Sequence, residues 1–540
     1  MSAVAQAPAK PLPKAAPTPV PTDEAGYAPK RLRWLIAISV SIAALMEVID
    51  TSIVNVALTD MQATLGATLS EIGWVVTGYG VANVVMIPLS AWLGEAFGKR
   101  RYFIFSMIGF TVASVLCGIA PNLPFLIFAR ILQGLMGGGL LAKAQAYLFE
   151  TFPPKEQGAA QAVFGICVIA GPAIGPTLGG WLVTNYSWPW IFWVNLPVGI
   201  AATLMCFAYL PKDKLRAAGK YAVDYIGIAL LIVWVGSLQT VLEEGYQDDW
   251  FESPFITTLF ISATLGLALW VWRELKTKAP AVDLRVLRHK SLIGGSIFSF
   301  IVGIALYGTV FAIPIFAQQI LGYTAYQTGM LLLPGALASA FMMPIMGKLA
   351  GKVDARLLIA IGATVLIGAL TVIGGISTQT SAEDLFWPLI FRGAGTVCIF
   401  LPLSLATFAP LPKRDISAAS GFYNLTRQLG GSVGIAILTT MLAGREAFHR
   451  QTYLENVTAY NPAAVQRIEQ LTGAFQAKGF DADIAHRQAM AVIDRSVSAQ
   501  AAVASFGDSF HLVAYLFIGS MVLLFLLGSG KGAKGGGAAH

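Results

Sequence analysis

The chain has 540 residues, of which 56% are hydrophobic and 12% charged, with a formal net charge of +7 and a mean hydropathy of +0.67. A soluble domain carries about twice that charged fraction, so an ordinary soluble enzyme is excluded. The Lys and Arg residues are spread through short segments beside apolar runs, so the positive charge reports membrane orientation and no nucleic-acid binding is expected.

Residues 1–30 are rich in Ala, Pro and Lys, with Pro11, Pro13, Pro17, Pro21 and Pro29. They lack an apolar signal region and read as a disordered cytoplasmic tail. Apolar runs of about 20 residues, enough to cross the hydrocarbon layer, then follow near 33–58, 73–93, 102–120, 125–148, 158–183, 190–211, 224–242, 255–273, 291–320, 327–347, 357–376, 385–409, 417–443 and 508–528. These fourteen spans predict an all-α polytopic membrane protein. The four cysteines (Cys117, Cys167, Cys206, Cys398) fall inside the runs and read as inert thiols with no disulfide.

Basic loops alternate with neutral or acidic ones. Arg31 and Arg33, Lys99 to Arg101, Lys212 to Lys220, Arg285 to Lys290, Lys352 with Arg356, Lys413-Arg414, and Lys531 with Lys534 share one side, while Glu243-Glu244, Asp248-Asp249 and Glu383-Asp384 lie on the other. This predicts both termini in the cytoplasm. Leu65-Gly66, Thr68, Gly73, Pro88, Leu93 and Arg100 recur as Leu321-Gly322, Thr324, Gly329, Pro344, Leu349 and Arg356, at a constant offset (321 − 65 = 256, 356 − 100 = 256). An even number of spans separates the copies, so the two halves run parallel, with binding expected at the midplane between them. The expected units are a six-helix half at 31–211, a two-helix insertion with its linkers at 212–290, a second six-helix half at 291–528 and a Gly-rich cytoplasmic tail at 529–540.

Several polar residues lie where a bilayer makes them costly. Glu47 and Asp50 sit three residues apart on one face of the first span. Arg130, about 9 Å inside the fourth span, approximately matches the depth of Asp50. Movement of such a carboxyl and guanidinium apart can load or release a proton, and a static ion pair needs the same residues. Lys143, in the inner third of the fourth span, reads as a lysine snorkelling to the headgroups, with a substrate contact as the alternative. Arg392 either pairs internally or lines a cavity, and Asn424 and Arg427 serve either substrate or interhelical hydrogen bonding. Tyr79, Asn83, Gln133, Tyr307, Phe311 and Tyr423 complete the candidates for a substrate cavity, with lipid-facing or core packing as the alternative for the aromatics.

Residues 158–185 carry no charge, yet contain Gly171, Pro172, Gly175, Pro176, Gly179 and Gly180. Such a helix persists only where neighbours pack against it and a bend is useful, and Gly175 and Gly179, one turn apart, are expected to pack at the interface between the halves. This order of Gly and Pro resembles the fifth-helix antiporter motif of the major facilitator drug:proton exporters. Leu45 to Leu58 resembles the first-helix signature of their 14-helix branch, with Thr59 in place of a closing proline. Arg130-Ile131-Leu132-Gln133-Gly134 is similar to the fourth-helix motif. The stretch Leu93, Gly94, Glu95, Ala96, Phe97, Gly98, Lys99, Arg100 is similar to the gating-loop motif, with Glu95 for the usual Asp and Ala96 for the usual Arg. The resemblance runs from about Arg33 to Phe525 and is nearest to the Emr-type multidrug efflux pumps. It implies the major facilitator fold and export of amphipathic drugs or toxic compounds across a bacterial inner membrane in exchange for protons. It assigns proton coupling to Glu47, Asp50 and Arg130.

Residues 444–507 form the one long external segment. Val465, Ile468, Leu471 and Phe475 share a helical face, Gly479 breaks it, and a second helical stretch follows near 484–503, which predicts a helical hairpin. It is either a spacer or, as the resemblance implies, a contact for a periplasmic membrane-fusion adaptor and its outer-membrane channel. The glycine motif by resemblance disfavours a proton-coupled uptake symporter. A membrane-embedded enzyme is disfavoured because the five histidines form no metal-ligand spacing. Gly347 to Lys352 falls short of a phosphate loop, so no metal or cofactor is expected.

Overall fold

The computed structural model describes residues 27–213, 223–278 and 280–526. Among the described residues there are seventeen α-helices and no strand. The first half contains α1 (Lys30–Leu65), α2 (Leu69–Phe97), α3 (Lys99–Gly118), α4 (Leu123–Gly137), α5 (Leu140–Thr151), α6 (Pro154–Asn185), α7 (Trp190–Trp193) and α8 (Asn195–Tyr209). The insertion contributes α9 (Tyr225–Glu244) and α10 (Pro254–Lys276). The second half contains α11 (Lys290–Gln319), α12 (Ala325–Leu349), α13 (Ala355–Gly374), α14 (Ala382–Phe408), α15 (Ile416–Leu454), α16 (Pro462–Ala477) and α17 (Ala482–Ser520).

Each expected span falls on helix, with 125–148 divided between α4 and α5 and 190–211 between α7 and α8. Twelve described helices, or thirteen with the bent α6, are long and apolar enough to cross a bilayer. The expected count of fourteen is not reached on that criterion. The span that falls outside it is 417–443, on α15, where Asn424, Arg427, Gln428 and Ser432 dilute the apolar residues. Most of the tail expected at 1–30, the tail expected at 529–540, residues 214–222 of the linker and the end of the last span lie outside the described residues.

The internal repeat is written into the backbone. Gly66 and Gly322 both adopt positive φ, 64° and 68°, a conformation that costs glycine little. Two residues later Thr68 and Thr324 each form a capping box, with Glu71 and Gln327 respectively. Each box satisfies N–H groups that the first helical turn leaves free, so α2 and α12 start alike. The Thr68 N–H donated to Glu71 holds that carboxyl below its ordinary range.

Helix α3 is capped from a distance. Asp213, just past α8, accepts from the N–H of Arg100 at 3.0 Å and of Arg101 at 3.1 Å. A carboxylate on these N–H groups also complements the helix dipole. Asp213→Ala is expected to cost about 1 kcal/mol, read as a lowered thermal unfolding midpoint of the purified protein. An unchanged midpoint would remove the capping role.

The two halves meet along α6 with α12 and along α2 with α15, while α9 packs on α2, α10 and α15. Small residues permit the close approach: a side chain at Gly158 of α6 would strike the backbone of Gly347 on α12. One apolar core runs from Ile36 and Phe103 in the first half to Met343 and Phe400 in the second, at the end of the bundle where α2 meets α3 (the motif end).

At the opposite end α15 and α17 leave the bundle as continuous helices, and α16 folds back on α17. The expected hairpin is present, but its second arm is not separate from the last span. No proline interrupts 482–520, so helix propagates straight through. Gly479, at φ 91°, makes the turn. Arg445 and His449 both reach Asp508, at 2.5 and 2.8 Å, and tie the base of the two arms together.

Candidate functional site

The charged residues of the first span form one buried polar network. Asp50 is 0% exposed, Arg130 1% and Glu47 6%. Arg130 Nη1 donates to Asp50 Oδ2 at 2.6 Å and to Gln133 Oε1 at 2.7 Å, and Arg130 Nε donates to the Val75 carbonyl at 3.1 Å. Asp50 Oδ1 accepts from Gln133 Nε2 at 2.7 Å and from Asn195 Nδ2 at 2.8 Å. The Arg130 guanidinium lies 4.0 Å from the centre of the Tyr79 ring, a cation–π contact in a desolvated setting.

Glu47 is held differently. Its Oε1 accepts from Asn83 Nδ2 at 3.0 Å and its Oε2 from the backbone N–H of Leu141 at 3.0 Å. That N–H is free because Gly138-Gly139 divides α4 from α5, and an anion is favoured at a helix N-terminus. Thus Asp50 ties α1 to α4 and α8, while Glu47 ties α1 to α2 and α5.

Asn195 carries an Asp50 bond that the sequence reading missed, with Ser114 of α3 accepting behind it at 3.1 Å. The available signal was a lone Asn inside an otherwise apolar run. Tyr79, Asn83 and Gln133, expected to line a cavity, are engaged with the two carboxylates and with Arg130.

In the second half Asn424 bonds across to another helix, and Arg427 bonds to Asn424 within α15. Asn424 Nδ2 donates to Gln145 Oε1 of α5 at 2.8 Å, and Arg427 Nη2 donates to Asn424 Oδ1 at 2.5 Å. Tyr423 is 1% exposed and packs edge-on against Phe408. Tyr307 and Phe311 are half-buried, and the Tyr307 ring lies against Gly431. Arg392 donates to Thr309 Oγ1 at 3.0 Å and, with Pro172 of α6 and Ser339 of α12, lines a cavity of about 30 Å³.

Lys143 departs from the snorkelling expected of it. It is 2% exposed, and its ammonium donates to Ser417 Oγ of the other half at 2.6 Å and to the Ala91 carbonyl at 3.4 Å. Helix α5 faces α15 here, so the side chain points into the seam, over Gly94. Gln145 donates to Ser404 at 2.7 Å and Ser420 to the Ala142 carbonyl at 2.7 Å. A row of polar bonds therefore joins the halves at the motif end.

The loop motif secures that end. Lys99 pairs with Glu150 at 2.6 Å and Arg100 donates to the Phe207 carbonyl at 2.6 Å. Gly98 has φ 98°, and Glu95 is exposed. In the glycine motif, α6 bends by 44° between its segments Pro154–Pro172 and Ile174–Asn185. Side chains at Gly171, Gly175 and Gly179 would strike Val48, Ser52 and Ile53 of α1. This corrects one expectation: the glycine row packs within the first half and not between the halves. Other faces of α6 meet α12, through Gly158 and Thr177, and Gly180 is buried one residue past the row. Pro176 lies within the helix beyond the bend.

Residues 40–435 match the family model described as Major Facilitator Superfamily. The chain belongs to this superfamily. It is 33% identical over 512 residues to Multidrug export protein EmrB of Escherichia coli strain K12, across 94% of this chain and 98% of that one. It is 32% identical over 508 residues to Fatty acid resistance protein FarB of Neisseria gonorrhoeae, with 94% and 98% covered. The proton:xylose symporter XylE bound to 6-bromo-6-deoxy-D-glucose has a similar structure, with a TM-score of 0.58 at 11% identity, over 93% of this chain and 98% of that one; the likeness is one of fold. The chain is a multi-pass membrane transporter and not an enzyme.

Proposed function

We propose that the chain is a proton-coupled antiporter that exports amphipathic drugs or toxic compounds across a bacterial inner membrane. The observation that carries this reading is the fully buried Asp50–Arg130 pair, with Glu47 one turn away on the same helix. Burying charge in a membrane protein is costly and marks ion or substrate pathways. The names of the relatives EmrB and FarB supply the substrate class and the direction. On this reading the motif end and both termini face the cytoplasm, as the Lys/Arg loops require, and α15, the thirteenth in chain order, completes the fourteen spans.

The coupling follows from what each carboxylate holds. A proton on Asp50 weakens the pull of Arg130 and loosens α1 from α4. A proton on Glu47 releases the start of α5. Helix α5 carries Lys143 and Gln145, whose bonds to Ser417 and Ser404 close the seam toward the cytoplasm. Protonation and the opening of that seam are thereby linked through one short helix, and alternating access needs such a link. Proteoliposomes with an imposed pH gradient test the reading. Substrate should move against its gradient while protons move the other way, and substrate flux indifferent to the pH gradient would reject it.

The hairpin of α15, α16 and α17 is assigned to contact with a periplasmic membrane-fusion adaptor, which hands substrate to an outer-membrane channel. It carries no chemistry of its own, while exposed Phe448, Phe480 and Ile484 offer apolar surface. Deleting residues 450–500 keeps the Arg445–Asp508 and His449–Asp508 bonds at its base, so the remaining bundle can be rejoined by a short linker. Transport in proteoliposomes is expected to survive and cellular resistance to fall. The adaptor should co-purify with the intact protein only; equal co-purification of both forms would reject the docking role.

A further inference from the structure

The two acidic residues Glu243 and Glu244, read from sequence as loop charges, form the last turn of α9 and are packed against the bundle. Glu244 is 4% exposed and its Oε1 accepts from Thr77 Oγ1 of α2 at 2.6 Å. Glu243 lies against Gly80 of α2, where a side chain would strike its carboxylate. Its Oε1 accepts from Gln239 Nε2 at 2.5 Å, and the same amide donates to Ser432 Oγ of α15 at 2.8 Å. Gln239, which is 1% exposed, thus bridges the inserted helix to the second half beside a carboxylate packed on the first.

The hydrogen-bond count around this bridge does not close. Gln239 Oε1 and Glu243 Oε2 are both buried acceptors with no donor. Buried acceptors are normally satisfied. The groups facing Glu243 are Thr77 and Gly80 from α2 and Ser432 from α15, with Glu244 and then Asp248 on its own segment. None of these is basic, and among the described residues no ion pair involves Glu243 or Glu244. The missing element is a donor that carries positive charge and needs almost no room.

We propose that Glu243 is a proton-binding site, separate from Asp50 and Glu47, that the two-helix insertion brings to the seam between the halves at the hairpin end. The proton supplies the missing donor, as an O–H from the carboxyl to the Gln239 amide oxygen. With the proton bound, α9 stays clamped to both α2 and α15. With the proton gone, two neighbouring carboxylates repel in an apolar setting and the bridge to Ser432 opens. Trp250 Nε1, which donates to Thr440 of α15 at 3.0 Å, extends the same clamp. The insertion then acts as a proton-sensitive strap over the end through which exported substrate leaves. Its position is set by the packing of α9 on α2 and α15, and the export direction rests on the proposed function.

Spin labels at Val233→Cys and Ile437→Cys, exposed sites on α9 and α15, report the clamp in the full-length protein in nanodiscs. The distance between them should lengthen as pH is raised, and Glu243→Gln, which keeps the shape of the protonated acid, should hold the short distance at every pH. An infrared pH-difference spectrum should show a protonated-carboxyl band that Glu243→Gln removes and Asp50→Asn leaves in place. A pH-dependent distance retained in Glu243→Gln, or a carboxyl band unchanged by it, overturns the proposal. So does a distance in the unsubstituted background that ignores pH. Because the Asp50→Asn protein serves as a parallel background, failure of the Asp50 coupling role leaves this result readable.

Discussion

Asp50→Asn is expected to reduce proton-driven efflux from proteoliposomes to the level of protein-free vesicles, while substrate still binds. Asn keeps the shape of Asp and one acceptor oxygen, which serves either Arg130, the donor to Oδ2, or Gln133 and Asn195, which both donate to Oδ1. The amide cannot take up a proton, and the step that moves α1 relative to α4 loses its trigger. Removing Arg130 instead, as Arg130→Met, leaves Asp50 buried without its cation, a change worth about 3–5 kcal/mol in folded stability. Asp50→Asn in turn leaves the buried Arg130 cation without its counter-charge, so both variants should lower the thermal unfolding midpoint, Arg130→Met the more because it also strips Gln133 Oε1 and the Val75 carbonyl of their donor. Efflux by Asp50→Asn at the unsubstituted rate would show the pair to be structural only.

The second large effect is expected at Gly175. A side chain there would strike Ser52 Oγ and come within 3.0 Å of the backbone N of Ile53. The obstacle includes helix backbone and cannot swing aside. Gly175→Leu must therefore push α6 away from α1, at a cost of about 1–3 kcal/mol for overpacking. Ser52 lies only two residues beyond Asp50, so displacement of α1 disturbs the carboxylate network on its other side. The variant should insert and purify, but either stop transporting or leak protons without substrate. Gly179→Leu should do likewise, since its side chain would meet Ile53. Normal coupled transport by both variants would reduce the glycine row to ordinary packing.

Much of this architecture was legible in residue patterns because its causes are local. Apolar run length locates the helices, and the offset repeat anticipates the matching glycines and capping boxes before α2 and α12. The similar depth of Asp50 in the first span and Arg130 in the fourth anticipates their pairing. What remained hidden depends on which way a helix faces. Asn195 reaches Asp50 from 145 residues away, and its spacing carries no trace of that contact. Lys143 looks like a snorkelling residue until α5 is turned toward α15. Glu243 and Glu244 look like loop charges because hydropathy marks the end of an apolar run, while the helix continues for two more residues into a polar seam. The glycine row was correctly read as a packing surface but assigned to the wrong neighbour, since periodicity defines a face without naming what covers it.

The most direct test of the central claim is the release of protons when substrate is added to the purified protein in weakly buffered detergent solution. The unsubstituted protein should acidify the medium in proportion to the substrate bound, and Asp50→Asn should bind the same substrate with no acidification. Equal acidification by both proteins would contradict the assignment of Asp50 as the group that exchanges protons for substrate.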